Sequence, residues 1–374
     1  MESIGICDKG LEDVGRAEVD EILGKKAKKE DTVVSFDASK EELCKLCYRT
    51  QSFSKVMAVL CKTEVNNHLE ESLVRIKEAI DQAEFSRWLT GKSFRVNCRR
   101  IGGQDYSSQD IAPKVGEYII DKTGAQVSLD SPDVIVYTYI YYDRCYIGID
   151  FAGFDLSKRD YKVFTQSSSL ASTVAHGLVR LSGFDDGVLL DPFCGASTIP
   201  IEAALYMEKK SPLFYKKDKL LCSRMLDLDF SEFDGQEKGK GEIYAFDHVL
   251  RNLRSTRSNA KLAGVKINAS KVDIEWLDTK FEEETIDAIV TQPPSPSTIW
   301  SEKEAAKLYK EFFHQASFVL KKKARMVVCL QKTEAFMKAI EGFIMLEEHK
   351  IMQGGLELHA LVLEKSAKPE KGHQ

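Results

Sequence analysis

The feature that most constrains this chain is the segment 187–208, where a short apolar run, an acid, a glycine turn and an apolar helix follow one another directly. The apolar run ends at Asp191, and Gly195 comes four residues later. In an open α/β sheet, ligands bind beyond the carboxyl ends of the strands, and a glycine there lets the backbone approach the ligand. The segment therefore predicts a nucleotide-type site on such a sheet.

The order of acid and glycine in this segment indicates which ligand it binds. Dinucleotide folds use G-x-G-x-x-G, whose helix N-terminus holds a pyrophosphate, whereas here the acid precedes the glycine and suits a cationic ligand such as S-adenosylmethionine (SAM). Another nucleotide, or tight packing without a ligand, would also fit this segment alone. Further acids follow: Asp247 ends a strand and can accept ribose hydroxyls, and Asp278 is predicted to lie at a similar strand end.

The second half of the chain alternates strands with helices. Strands are predicted at 187–190, 243–246 and 286–290, with helices at 170–181, 198–208, 250–262 and 302–320. This spacing predicts a mostly parallel sheet with helices on both faces. The first half is α+β: helices at 10–23, 40–47, 69–89 and 109–122 separate strands, and 134–149 forms a hairpin centred on Asp143 and Arg144.

Composition excludes several classes of protein. With 43% hydrophobic residues the chain is globular, and no apolar stretch is long enough to span a membrane, so we expect a cytoplasmic protein. Nine scattered cysteines indicate reduced core thiols, and the pair Cys44 and Cys47 lacks the second pair that a zinc site needs. The net charge of −5 means that any RNA contact uses local basic patches.

A proline-rich loop follows the strand at 286–290. Gln292 precedes Pro293 and Pro294, which fix an extended loop and remove two backbone donors. An amide oxygen before such a pair can accept a hydrogen bond from an exocyclic amino group and align its nitrogen with a methyl sulfonium, so positioning supplies most of the catalysis.

These motifs together resemble the THUMP-domain RNA methyltransferases, in particular the branch that makes N2-methylguanosine at position 6 of the tRNA acceptor stem. The similar segments are 191–204 (Asp-Pro-Phe-Cys-Gly-Ala-Ser-Thr-Ile-Pro-Ile-Glu-Ala-Ala), the Pro-Pro loop, the linker 156–162, and, for the THUMP domain, 107–116, 127–134 and 146–150. The resemblance spans nearly the whole chain.

The resemblance implies a Rossmann-like SAM-dependent methyltransferase domain (156–366) preceded by a ferredoxin-like domain (1–62) and a THUMP RNA-binding domain (63–155), with a disordered tail at 367–374. It implies SAM as cofactor, tRNA as partner, and no metal. Cofactor-binding residues are then Asp191, Phe193, Gly195, Ser197, Asp247, His248 and, less directly, Asp278. The catalytic tetrapeptide is Gln292, Pro293, Pro294 and Ser295.

The chain departs from the family pattern at three motifs. The family has Asn or Asp where Gln292 stands, and the extra methylene shifts the oxygen by roughly 1 Å, a displacement that can cost about 10²-fold in rate. Ser295 stands where the family has an aromatic ring that stacks on the flipped base, and Ser197 stands where it has a glycine. After Asp247 the chain continues with His248, whereas the family usually has an acidic residue and a proline in this segment. Three interpretations are open. The chain is a divergent enzyme that stacks the base on Trp300, Phe193 or Phe246, or it is a catalytically silent RNA-binding protein. The third is a methyltransferase that acts on rRNA or on protein amides.

Basic residues mark candidate RNA contacts. In and beside the THUMP-like segment these are Arg99, Arg100, Lys114, Lys158 and Arg159. A second cluster, 209–219, mixes five lysines with Phe214 and Tyr215, which suits single-stranded RNA, although a solvated loop explains it equally well. Arg251, Arg254 and Arg257 either reach RNA or coat one helical face. We expect a monomer; the sequence does not identify an activator subunit.

Overall fold

The computed structural model describes residues 1–166, 169–226, 228–234, 239–296 and 300–366, so the tail expected to be disordered lies outside the described residues. Two β-sheets with their helices make up the chain. Within the described ranges, no helix is both long and apolar enough to cross a bilayer.

The N-terminal module is an eight-stranded mixed sheet in the order β2-β3-β1-β4-β8-β7-β5-β6. Its strands are β1 Glu2–Ile6, β2 Lys28–Glu30, β3 Val33–Asp37, β4 Lys55–Glu64, β5 Ser93–Ile101, β6 Gln126–Val127, β7 Val134–Tyr141 and β8 Arg144–Asp150; its helices are α1 Glu12–Leu23, α2 Lys40–Arg49, α3 Leu69–Gln82, α4 Ser86–Leu89 and α5 Ser108–Thr123. Because β4 pairs with β8, the segments 1–62 and 63–155 share one sheet.

The two faces of this sheet are covered differently, as the alternation of side chains along a strand requires. Val136 packs into a core that also holds residues of α1, α2, α3 and α5, and Cys44 and Cys47 are buried there as core residues. Tyr137, its neighbour on β7, belongs to a tyrosine-rich cluster on the opposite face, together with Tyr139.

Two local predictions in this half are wrong in detail. The helix expected over 69–89 stops at Gln82, because Ala83 has an extended backbone (ψ 150°), and a separate short helix follows. The hairpin turns at Tyr142 and Asp143 rather than at Asp143 and Arg144, since Tyr141 pairs with Arg144.

The C-terminal domain is a seven-stranded sheet in the order β11-β10-β9-β12-β13-β15-β14. The five strands from β11 to β13 in this order are parallel. Its elements are β9 Val188–Asp191, β10 Glu242–Asp247, β11 Asn268–Lys271, β12 Ile286–Thr291, β13 Leu320–Leu330, β14 Phe343–Gln353 and β15 Leu356–Lys365, with α6 Ser172–Leu181, α7 Thr198–Met207, α8 Cys222–Met225, α9 Leu250–Ala263, α10 Glu302–Val319 and α11 Glu334–Met337. The strand order reverses between β9 and β12, which is where such sheets bind ligands.

A buried polar network joins the two parts of the chain behind this switch point. Glu202, in α7, is fully buried and accepts hydrogen bonds from Gln51 Nε2 (2.7 Å), Arg159 Nε (3.1 Å) and Tyr161 Oη (2.7 Å). The connection between α7 and β10 adds an apolar contact, because Leu213 and Leu220 pack into the N-terminal core. The helix that carries the glycine turn is therefore anchored to the N-terminal module.

Candidate active site

A cavity of about 400 Å³ lies at the carboxyl ends of the central strands. It is lined by Gln166, Ser169, Leu170, Asp191, Phe193, Cys194, Gly195, Ala196, Thr198, Ile199, Gln292, Pro293, Pro294, Ser295, Pro296 and Gln331. Asp191 is the one charged side chain among these described residues. A carboxylate in an otherwise neutral cavity favours a cation and offers nothing to a pyrophosphate.

Asp191 is held in one position by the strand ends. Its Oδ1 accepts hydrogen bonds from Thr291 Oγ1 (2.6 Å) and from the Phe193 N–H (3.1 Å). The pKa of this carboxyl is raised to about 7, mainly by burial and in small part by the nearby Asp247 charge, and the two hydrogen bonds oppose that rise. A cation bound in the cavity would offset that burial and keep Asp191 ionised.

The glycine turn beside Asp191 is braced from the next strand. Gly195 adopts φ +53°, and its N–H donates to Asp247 Oδ2 at 3.0 Å. Asp247 also accepts from the Val249 N–H (2.7 Å) and from Asn252 Nδ2 (2.9 Å). The strand end predicted for Asp247 is therefore observed, and the structure adds a bracing contact to the ribose role that the family pattern implies.

Ser197 lies behind the cavity and not in it. Its backbone is left-handed (φ 62°), and its buried Oγ lies 2.7 Å from Thr256 Oγ1 in α9. The side chain of Ser197, predicted to bind the cofactor, thus packs against α9, and its cofactor role stays a prediction. A residue other than glycine in this conformation costs roughly 1–2 kcal/mol, which the Thr256 hydrogen bond partly offsets.

The Pro-Pro loop, which follows the adjacent strand β12, forms another part of the cavity wall. Gln292 is half-buried and faces the same cavity as Asp191. The loop is fixed from below by α10, since the hydroxyl of the fully buried Tyr309 donates to the Pro294 carbonyl at 2.7 Å. The structure thus brings all four residues of the predicted tetrapeptide, 292–295, to the cavity.

Of the three aromatic residues considered for base stacking, one lines the cavity. Phe193 does so, with its ring edge-on to Phe312 (centroids 5.5 Å apart). Phe246 is buried and stacked on Phe281, so it cannot receive a base. Trp300 packs edge-on against Tyr309 below the loop.

The remaining cofactor candidates lie outside the cavity lining. His248 is exposed beside Asp247. Asp278 is exposed in a short 3₁₀ helix, Ile274–Thr279, so the strand end predicted for it is wrong. Asp273, which the sequence analysis did not consider, lies two residues after the end of β11, beside the β10 end, and is likewise absent from the cavity lining.

Sequence reasoning also missed the wall formed by Gln166, Ser169 and Leu170. Gln166 Oε1 lies 3.0 Å from where a Cβ on Gly195 would stand, so the linker closes over the glycine turn. These residues carry no motif-like pattern, and only the folded linker brings them to the site. Within the described part of the chain, no group of His, Cys, Asp and Glu side chains could hold a metal ion.

The five RNA candidates differ in availability. Arg159 is 6% exposed and paired with Glu202, so its predicted RNA contact is wrong: the cation balances a buried carboxylate. Arg100 donates to Gly102 and Gln104, and Lys114 pairs with Glu117. Arg99 and Lys158 are exposed.

Comparison with known proteins agrees with this geometry. Residues 159–361 match the family model described as RMKL-like, methyltransferase domain, and residues 70–150 match the THUMP domain. A tRNA (guanine(6)-N2)-methyltransferase of Methanocaldococcus jannaschii is 30% identical over 93% of this chain and 95% of its own length. A second protein of that name, from Archaeoglobus fulgidus, is 28% identical over 93% of this chain and 88% of its own length.

Solved structures share the fold. TrmN from Thermus thermophilus superposes with a TM-score of 0.74 at 23% identity, covering 98% of this chain and 99% of that one. SMU.472, a putative methyltransferase complexed with SAH, superposes with a TM-score of 0.79 at 19% identity, again covering 98% of this chain and 99% of that one. The chain therefore belongs to the RMKL-like methyltransferases that carry a THUMP domain, which confirms the predicted fold class, enzyme class and cofactor, SAM.

Proposed function

We propose that this protein transfers a methyl group from SAM to the N2 atom of a guanosine in tRNA, at position 6 of the acceptor stem. The observation that carries the proposal is the placement of Gln292 and Asp191 in the lining of one cavity, in a chain 30% identical to an enzyme named for that reaction. The domain division at 62 and 155, the cytoplasmic location and the monomeric state stay predictions.

The cavity fits SAM because its one described charge is an acid at the switch point. Asp191 would hold the ammonium group, and the Gly195 turn would approach the ligand without a Cβ. SAM supplies an electrophilic methyl group on a positively charged sulfur. The chain's own residues orient the acceptor: the Gln292 side-chain oxygen would accept a hydrogen bond from the guanine amino group, and Phe193 would contact the base.

The direct test is transfer of tritium from labelled SAM to unmodified tRNA transcripts, followed by nuclease digestion and chromatography of the nucleosides. We expect label in N2-methylguanosine, and loss of it in a transcript with adenosine at position 6. Gln292→Ala should abolish transfer while SAM affinity stays within a few-fold, and Gln292→Asn, the family residue, should keep activity.

A catalytically silent RNA-binding protein is the competing function, favoured by Ser295 at the position of the family's aromatic ring. Intact tRNA binding and SAM binding without any labelled nucleoside would select it. Label in a nucleoside other than N2-methylguanosine would overturn the proposed specificity but keep the enzyme class.

A further inference from the structure

A second cavity, of about 660 Å³, lies beside the catalytic one. The linker at 160–164, the loop at 211–216 and the end of α9 form its walls. Three aromatic side chains line it and stay open to solvent: Phe164 (49% exposed), Phe214 (39%) and Tyr215 (66%). Exposed aromatic rings grouped in one pocket mark a binding site more often than a packing defect.

The most exposed ring, Tyr215, is held in place. Gly264, at the end of α9, has φ +67°, and a Cβ there would stand 2.5 Å from the Tyr215 hydroxyl oxygen. Lys210 Nζ lies 5.0 Å from the ring centroids of both Phe214 and Tyr215 and donates to the Gly264 carbonyl at 2.6 Å. The pocket therefore presents an ordered aromatic platform and not a loose loop.

Basic residues surround the pocket, and the one acid in its described lining, Asp160, forms an ion pair with Lys216. Lys261 lines it, and the same exposed side of α9 carries Arg251, Arg254 and Arg257. Among the described residues, no carboxylate forms an ion pair with Arg251, Arg254 or Lys261. A chain of cations that ends in an aromatic pocket has the chemistry that binds a polyanion with planar bases.

The pocket is close to the catalytic cavity along the linker. Gln166 lines the catalytic cavity and Phe164 lines the aromatic pocket. Two residues of extended chain span about 7 Å. The linings of the two cavities therefore approach each other along one short stretch of the linker.

We propose that this aromatic pocket binds an unpaired nucleotide of the RNA substrate, stacking its base on Tyr215 and Phe164 while α9 contacts the adjoining phosphates. The inference rests on the proposed function for the identity of the RNA, but concerns binding and not methyl transfer. It assigns a role to the lysine-rich segment 209–219 and to the arginines of α9.

The test measures the affinity of the full chain for fluorescently labelled tRNA transcript and for a short single-stranded oligouridylate, by anisotropy. Replacing one stacking ring should weaken binding about five- to 150-fold, so Tyr215→Ala should lose affinity while Tyr215→Phe keeps it. Lys261→Ala should lower the slope of log affinity against log salt by about 0.7. Ile344→Ala, at a position 57% exposed on the far edge strand β14, is the matched control and should bind as wild type does.

Unchanged SAM affinity and melting temperature would show that each variant is folded. Ultraviolet crosslinking of a 4-thiouridine oligonucleotide should label Tyr215 or Phe164. Equal RNA affinity of Tyr215→Ala and wild type, or crosslinks that map only elsewhere, would overturn the inference even if methyl transfer is confirmed. RNA binding that depends on Tyr215 without any methyl transfer would instead refute the proposed function alone.

Discussion

Asp191 and Thr291 end adjacent strands, β9 and β12, and a 2.6 Å hydrogen bond between Asp191 Oδ1 and Thr291 Oγ1 joins them. The contact lies where the strand order reverses, so it fixes the acid at the point where the fold opens to a ligand. Burial at this point raises the pKa of Asp191 to about 7, against the lowering effect of the Thr291 hydrogen bond.

SAM affinity should therefore depend on pH through Asp191. Because only the ionised carboxylate attracts a cation, the dissociation constant of SAM should fall about tenfold per pH unit between roughly pH 5 and 6.5 and level off above pH 7. Titration calorimetry across this range measures it. Asp191→Asn should bind SAM weakly with no such pH dependence, whereas Asp121→Asn, at an exposed position in α5, should behave as wild type; a pH-independent wild type would contradict the assignment.

The raised pKa of Asp191 also predicts how Asp191→Asn changes the stability of the protein. A folded-state pKa raised above its ordinary value means that the folded protein loses stability as pH rises from about 4 to 7, because the buried carboxyl must ionise. Asp191→Asn removes that cost. The free energy of unfolding of Asp191→Asn minus that of wild type should therefore be larger at pH 8 than at pH 4. Urea titrations at the two pH values measure this difference. A difference that does not change with pH would contradict a buried Asp191 that ionises in the folded protein.

Arg159→Ala should be destabilising by about 3–5 kcal/mol, because it leaves the buried Glu202 carboxylate without its cation. Denaturant unfolding checks this. Its neighbour Lys158 is exposed, so Lys158→Ala should change stability by less than about 0.5 kcal/mol. Wild-type stability combined with weaker RNA binding in Arg159→Ala would restore the RNA role predicted from the sequence.

Two variants at Ser197 distinguish an effect on backbone strain from an effect on cofactor contact. Ser197→Gly relieves the left-handed strain but loses the Thr256 hydrogen bond, so its stability should stay near wild type. Ser197→Ala loses the bond and keeps the strain, so it should be less stable than Ser197→Gly by about 1 kcal/mol. SAM affinity should be unchanged in both; a large change would place the side chain against the cofactor after all.

Tyr309 acts as a positioning residue for the Pro-Pro loop. Tyr309→Phe removes its hydrogen bond to the Pro294 carbonyl but keeps the buried ring, so kcat should fall about tenfold while KM for SAM stays constant. Steady-state kinetics separates the two constants. Tyr244→Phe, which loses only a bond to exposed Glu242, is the control. A change confined to KM for SAM would mean that the loop shapes the cofactor site instead.

The sequence by itself determined the architecture and the centre of the site. Alternating apolar strands and helices fixed a parallel sheet, and an acid followed by a glycine after β9 marked its ligand-binding edge, because these signals are local in the chain. The Gln292 loop was predictable for the same reason. The family resemblance supplied the cofactor and the enzyme class.

Tertiary structure alone decided which charges are free. Arg159 and Lys158 are neighbours in sequence, yet one is buried against Glu202 and the other is exposed, because only packing against the N-terminal module brings that carboxylate to Arg159. Likewise, Gln166 reaches the glycine turn, and Tyr215 is fixed on Gly264, through contacts between segments distant in sequence. Such contacts leave no periodic trace in the chain, since they depend on how separate elements pack and not on the sequence of any one of them.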